Sequence, residues 1–332
     1  MDSLDVRILR LLLQGHALSP LNPDFRESYA AIAKAVTVDE DTVRYRVRKL
    51  HDTGFLADWR LALNPRIWGG GQLVLILDLG SDSSMDDAVE ELKLVPGVVI
   101  ITRFYGRIAL VLEYEDACSL PRQIELIRRI SAATGLFAAR YRFPDCTVVL
   151  SARDWDLIRA LRRSPRKSCA SLAKEVGLSS PTVKRKLRRL TSEGVAFAWP
   201  SLNLKGTGGS VIAWIFVLYP NERKQEVDEA VTADLESYIW HISHYLPYNP
   251  GEFLPTSYEL AVPSLQAARE ALRWVRDIPG VETAHLDLYE DIFTNFEWYD
   301  EDLGRKLRQM PTSMPTVEAG TYRKRVIALE HQ

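Results

Sequence analysis

The chain has 332 residues, of which 46% are hydrophobic and 26% charged, and its formal net charge is −2. That length admits two or more domains with sizeable cores, and the composition is that of an ordinary globular protein. A near-neutral balance excludes a globally basic nucleic-acid binder, so any such surface has to be local.

The chain opens on the acidic Met1-Asp2-Ser3-Leu4-Asp5, without the basic and apolar regions of a leader peptide. Its longest apolar run, Val211 to Leu218, is far shorter than the roughly 20 residues that span a bilayer. Cys118, Cys146 and Cys169 form no CxxC and no zinc-spaced cluster, as expected of structural thiols in a reducing compartment. A cytoplasmic protein without metal or cofactor is expected.

In chain order, Leu4–Leu13 is a short amphipathic helix pattern, and Ala30-Ala31-Ile32-Ala33-Lys34 begins a second. Thr42-Val43-Arg44-Tyr45-Arg46-Val47-Arg48-Lys49-Leu50 is a third, basic helix. It is fronted by Asp39-Glu40-Asp41, acids that suit a helix N-terminus and would face phosphates in a docked complex. Gly69-Gly70-Gly71 lacks the lysine and following helix of a phosphate loop and reads as a linker. A βαββαβ pattern follows: strand Leu73–Leu79, helix Asp86–Leu94, strands Val98–Phe104 and Ile108–Tyr114, helix Pro121–Ile130, strand Leu136–Phe143.

The chain then repeats itself at an offset of about 140 residues, the size of a two-domain unit rather than a solenoid repeat. Asp156–Arg163 and Ser168–Val176 are the first two helices, and Gly177 suits a left-handed C-cap. Ser180-Pro181 reads as an N-cap with proline in the first turn. Thr182-Val183-Lys184-Arg185-Lys186-Leu187-Arg188-Arg189-Leu190 aligns with Thr42–Leu50, Gly194 with Gly54 and Trp199 with Trp59. Val183, Leu187 and Leu190 form the buried stripe, and Val195–Trp199 reads as a wing strand. The second βαββαβ pattern is strand Val211–Leu218, helix Arg223–Ser237, strands Trp240–Leu246 and Ser257–Val262, helix Leu265–Arg276, strand Val281–Tyr289.

Helix, glycine turn and basic helix form the helix-turn-helix signature, in which the last helix enters the major groove and its cations meet phosphates and guanine edges. The candidate DNA-binding residues are therefore Thr42, Arg44, Tyr45, Arg46 and Arg48 in the first unit. In the second they are Ser179, Ser180, Thr182, Lys184, Arg185, Lys186, Arg188 and Arg189. From Arg153 to Leu190 twelve basic residues face three acidic ones, whereas from Met1 to Arg60 nine face nine. The second module is thus expected to supply most of the electrostatic affinity. The expected fold class is α+β, with two winged helix-turn-helix domains (1–66 and 151–205). Each precedes a ferredoxin-like domain (72–150 and 210–299) with an open sheet face, so one chain can act as a pseudo-dimer. A tail, 300–332, carries Pro311, Pro315 and the basic Tyr322-Arg323-Lys324-Arg325-Val326, which reads equally as an arm on DNA or a pairing strand.

On Leu4-Asp5, Ile8-Leu9, Leu12, Ile32-Ala33, Thr42-Val43, Arg46-Val47, Leu50, Gly54 and Leu61–Asn64, largely repeated in the second half, the chain resembles the Lrp/AsnC (feast/famine) regulators. The resemblance implies double-stranded DNA as partner and a homo-oligomer, here a dimer of the chain. It also implies a small-molecule effector, an amino acid or other metabolite. Two departures weaken the amino-acid effector: Tyr105-Gly106-Arg107-Ile108 has arginine where the family places an acid, and Pro247–Pro255 is an insertion. The alternative is a siroheme decarboxylase-like tetrapyrrole enzyme or sensor, suggested by Ser243-His244-Tyr245 with Tyr248-Asn249. His241 and His244 lie an odd number of residues apart on a strand, which directs them to opposite faces and disfavours joint metal binding. Trp214, Trp240, Trp274 and Trp298 read as core and interface packing, with a pocket between units as the other reading. A third reading, an assembly scaffold that has lost its DNA surface, is opposed by the basic second module.

Overall fold

The computed structural model describes residues 1–13, 26, 28–80, 84–249 and 253–313. The basic segment Tyr322–Val326 and residues 250–252 of the Pro247–Pro255 insertion lie outside the described residues.

The first unit opens with three helices, α1 (Ser3–Leu13), α2 (Tyr29–Val36) and α3 (Glu40–Asp52), followed by strand β1 (Leu56–Leu63). Its α+β part is β2 (Gly71–Leu79), α4 (Met85–Leu92), β3 (Val98–Phe104), β4 (Arg107–Tyr114), α5 (Leu120–Ile130) and β5 (Ala133–Tyr141). The second unit repeats the order: α6 (Ala152–Leu161), α7 (Cys169–Val176), α8 (Ser180–Ser192), β6 (Ala196–Leu202), β7 (Val211–Tyr219), α9 (Lys224–Leu235), β8 (Ile239–Pro247), β9 (Leu254–Val262), α10 (Leu265–Asp277) and β10 (Thr283–Thr294). A final helix, α11 (Phe296–Gln309), has no counterpart in the first unit. It runs across the 299/300 boundary expected from sequence, so the first part of the expected tail is helical. Asn295 caps it, and Tyr299, Leu303 and Leu307 form its buried stripe.

Within each unit the strands take the ferredoxin-like antiparallel order, β3-β4-β2-β5 and β8-β9-β7-β10. The edges then meet. β5 pairs with β8 and β10 with β3, closing both sheets into one eight-stranded barrel. Closure removes the free sheet edges that would otherwise recruit another chain. The strands after the two recognition helices also pair with each other, Arg60 opposite Trp199 and Leu63 opposite Ala196. The expected wing strand therefore finds its partner in the other unit. The pseudo-dimer is built twice, once through the barrel and once through this ribbon.

Alternation along the strands separates two kinds of core. Outward residues such as Leu73, Leu75, Leu110 and Leu112 pack under α4 and α5, while Ile215, Val217, Tyr258 and Leu260 pack under α9 and α10. The barrel interior is continuous with the second helix-turn-helix and α11 in one cluster holding Val74, Phe104, Trp214, Leu187 and Leu303. The first helix-turn-helix keeps a separate small core of Ile8, Leu12, Ile32, Val36, Val43 and Val47.

The interior is chemically lopsided. In the first unit it presents Ile100 and Val111; at the matching register of the second it presents His241 opposite Glu259. His241 and His244 do face opposite sides: His241 Nε2 lies 3.0 Å from Ser243 Oγ, and His244 Nδ1 lies 3.1 Å from Thr256 Oγ1. Burial pushes both imidazoles down to about 4, and burial pushes the Glu259 carboxyl up to about 7 against a hydrogen bond from Tyr289. The linkage signs oppose each other. Between pH 4 and 6.5 the unfolded chain holds protons that the two native histidines lack, so stability rises with pH. Above the ordinary carboxyl range and up to pH 7, native Glu259 holds a proton that the unfolded chain has released, so stability falls. Each contribution is worth about 3 kcal/mol. Glu259→Gln is therefore expected to steepen the rise below pH 6.5 and to gain about 3 kcal/mol over the parent above pH 7. Urea unfolding across pH 4–8 checks this; parallel curves for parent and variant would contradict it.

Candidate nucleic-acid interface

The turn between α2 and α3 and that between α7 and α8 share one geometry. Ser28 and Ser168 cap the second helices, each accepting a bond from the backbone N–H three residues on. Gly177 ends α7 with φ 65°, and Leu178 N donates to Ala173 O. Thr37 ends α2 with φ 62°, and Val38 N donates to Ala33 O. Glycine takes this left-handed conformation freely, whereas a β-branched residue is strained there. Thr37→Gly is expected to stabilise the protein by about 1 kcal/mol, and Gly177→Ala to destabilise it by a similar amount. Denaturant midpoints check both; an unchanged midpoint for Thr37→Gly contradicts the strain argument.

Ser179, rather than Ser180, is the N-cap of α8, accepting from Thr182 N while its backbone stays extended at ψ 148°. Pro181 accordingly sits one position further into the first turn, where its missing N–H costs nothing. The Thr182 hydroxyl is 2.9 Å from Ser179 Oγ. In α3 the cap is Asp39, which accepts from both Thr42 N and Thr42 Oγ1, and those hydrogen bonds hold its carboxyl below the usual range. One helix therefore presents a hydroxyl at its start and the other a carboxylate.

Burial along residues 41–50 matches that along 181–190 position for position. Val43, Val47 and Leu50 are buried, as are Val183, Leu187 and Leu190. Arg44, Tyr45 and Arg48 are exposed on α3, Tyr45 by 63%; Lys184, Arg185, Arg188 and Arg189 are exposed on α8. Arg46 and Lys186 are half-buried and do the same structural work. Arg46 reaches Asp5 at 3.1 Å, and Lys186 reaches Asp154 at 2.9 Å. Asp5 and Asp154 are almost fully buried in the first helix of each module. Burial works to raise the Asp154 pKa, and hydrogen bonds from Ser151 and Lys186 outweigh it, leaving the carboxylate ionised.

Side-chain direction redistributes the charge counted along the sequence. Arg189 turns to Val149 O at 2.9 Å and Asp154 at 3.8 Å. Arg159 donates to Leu307 O and Met310 O of the α11 end, and Arg162 pairs with Asp300. Lys167 pairs with Glu175 at 2.7 Å. On α8, Lys184, Arg185 and Arg188 remain exposed with no ion pair among the described residues. On α3, Arg44 pairs with Glu40 and lies 5.4 Å from the Tyr29 ring, and Lys49 is 3.6 Å from Asp5. Arg48 is the α3 arginine with no ion pair among the described residues. The two modules touch through Arg166, which lies over the rings of Tyr29 and Trp59.

A description of AsnC-type helix-turn-helix domains matches residues 1–51, and one of winged helix-turn-helix DNA-binding domains matches residues 150–195. The chain is 27% identical over 159 residues to the HTH-type transcriptional regulator Ptr1 of Methanocaldococcus jannaschii, covering 46% of this chain and 93% of that protein. It is 26% identical over 162 residues to an uncharacterised HTH-type transcriptional regulator of Pyrococcus abyssi, covering 48% of this chain and 92% of the relative. Both relatives are about half as long, the size of one unit. A crystal structure of the siroheme decarboxylase NirDL superposes with a TM-score of 0.54 at 13% identity, covering 92% of this chain and all of that one. At that identity the likeness is one of fold. No described helix is long and apolar enough to cross a membrane.

Proposed function

We propose that this chain is a DNA-binding helix-turn-helix transcription regulator related to the Lrp/AsnC family, its two units working as one lopsided pseudo-dimer. In this reading α8 carries the main DNA contact: Lys184, Arg185 and Arg188 meet phosphates and guanine edges, and Ser180 and Thr182 donate to phosphate. Arg44, Tyr45 and Arg48 of α3 make a weaker second contact. The observation that carries the reading is the number of uncommitted cations, three on α8 against one on α3. The protein acts without catalysis, in the cytoplasm, as a dimer of this chain and under a small-molecule effector.

Binding to the chain's own upstream DNA across a salt series tests the reading. About three to five phosphate contacts give a log–log slope of about −3 to −4.5. A flat response, or no binding at low salt, contradicts it.

The shared fold with NirDL keeps a tetrapyrrole enzyme as the second reading. Against it, His244 and Tyr245 lie on opposite faces of β8, His244 bonded to Thr256 and Tyr245 to Ser257 inside the barrel. The cavity beside Tyr245 holds about 100 Å³, well below the roughly 300–1,000 Å³ of pockets for drug-sized ligands. Absorbance titration with an iron porphyrin separates the readings, a tight stoichiometric complex favouring the enzyme.

A further inference from the structure

The barrel interior is not filled at the end that faces the helix-turn-helix modules. A cavity of about 100 Å³ lies there, walled by Phe104, Trp214, Trp240, Tyr289 and Glu259 among others, and covered by Leu13 of α1 with Pro200 and Leu202 of β6. Phe104 and Trp214 stack at 5.0 Å with their planes 6° apart, so the wall is ordered and flat. The carboxyl of Glu259 faces this space. It takes a hydrogen bond from Tyr289 and carries no ion pair to lysine or arginine among the described residues. His241, its cross-strand neighbour, is kept neutral by burial and supplies no cation at neutral pH. Trp240 adds a buried indole N–H with no acceptor among the described residues. A half-buried carboxyl with no cation beside it and an unanswered buried donor are costly in a chamber that serves packing alone. The same groups among aromatic faces complement a cation with a small carbon body.

We infer that this chamber is a binding site for a small organic amine, its protonated nitrogen taken by the Glu259 carboxylate and its carbon body held among the aromatic walls. The volume limits the ligand to a handful of non-hydrogen atoms, fewer than a full amino-acid side chain plus backbone would bring, since a 150 Å³ apolar cavity accepts benzene. The site is continuous with the DNA-reading part. Trp240 meets Phe55 edge to face at 6.4 Å, and Phe55 lies three residues beyond α3. As an effector site the chamber rests on the regulator reading; as an amine site it does not.

The test titrates the full chain at pH 8 with isobutylamine, following tryptophan fluorescence and calorimetry, with isobutanol as the neutral control of similar shape. Saturable binding of one amine per chain is expected, at least about tenfold weaker for isobutanol and at least about tenfold weaker in Glu259→Gln. Ala109→Leu, which fills the chamber from β4 and leaves the carboxyl in place, is a second variant expected to abolish the same binding. No saturation with isobutylamine, equal binding of isobutanol, or binding that neither variant weakens overturns the inference and leaves ordered water as the occupant. DNA binding measured on the same ligand-free samples separates the two claims. Intact DNA binding without amine binding removes the inference alone, and amine binding without DNA binding removes the regulator reading alone.

Discussion

Replacing Lys184 and Arg185 together with alanine is expected to weaken binding to the chain's own upstream DNA by about a hundredfold at moderate salt, and to reduce the salt slope by about 2. The same exchange at Arg44 and Arg46 is expected to cost less than about threefold. The difference follows from what each side chain already does. Lys184 and Arg185 are exposed and have no ion pair among the described residues, so all of their charge is available to phosphate. Arg44 is paired with Glu40, and Arg46 is held by Asp2 and Asp5, so DNA would have to compete with partners already in place. Asp39, Glu40 and Asp41 add repulsion at the start of α3. Equal losses for the two double variants, measured on folded protein, would remove the asymmetry from the account.

The largest expected stability effect lies far from DNA, at Lys306. Its side chain is 7% exposed and lies 2.7 Å from Asp302, 3.4 Å from Glu113 and 4.9 Å from the Trp68 ring. Glu113 is itself buried; burial pushes its carboxyl up, and the Lys306 charge and a bond from Gln72 pull it back. Lys306→Met leaves that carboxylate with its cation removed and is expected to cost about 3–5 kcal/mol. Adding Glu113→Gln to the same chain removes the stranded charge, keeps an acceptor for Gln72, and is expected to recover a large part of the loss. Thermal and denaturant unfolding of the two variants reads this out. A loss below about 1 kcal/mol for Lys306→Met would mean that α11 does not depend on the buried ion cluster.

Much of this architecture is legible in the sequence because it rests on periodicity. The i, i+4, i+7 spacing of Val183, Leu187 and Leu190 marks α8, and a short continuous apolar run marks the strand Val211–Tyr219. Self-comparison finds the doubled unit because Asn64 and Asn203, among others, keep the same local task, each capping the short turn that follows its strand. What is not legible depends on direction or on distant pairing. A count of twelve basic residues cannot tell that Lys186 and Arg189 turn to Asp154, or that Arg159 and Arg162 hold α11. Closure of the barrel depends on which edges meet, β5 with β8 and β10 with β3, and no local pattern encodes that choice. Arg107, where related chains are expected to place an acid, bridges Asp78 of its own unit and Asp287 of the other, helping to join them. The signal for α11 was present in Asn295 and the Tyr299, Leu303, Leu307 spacing. The prolines and basic residues beyond it draw attention towards an arm on DNA or a pairing strand instead. The cavity has no linear signature, since Glu259 and Trp214 share it only after two strands pair.

Both modules are packed on the barrel. The core of the second is continuous with the barrel interior, and Val6, Leu9, Leu13, Phe55 and Leu56 of the first pack on Ile212, Trp240 and Ala261 of the barrel. A strongly charged module and a weakly charged one on a shared frame favour a regulator whose two half-contacts are unequal. Hydroxyl-radical footprinting of the full chain on its own upstream DNA tests this most directly. The account predicts one strongly protected backbone segment that Lys184→Ala/Arg185→Ala erases, flanked on one side by a weaker segment that survives. Two equally protected half-sites, or a strong segment erased instead by Arg44→Ala/Arg46→Ala, would contradict it.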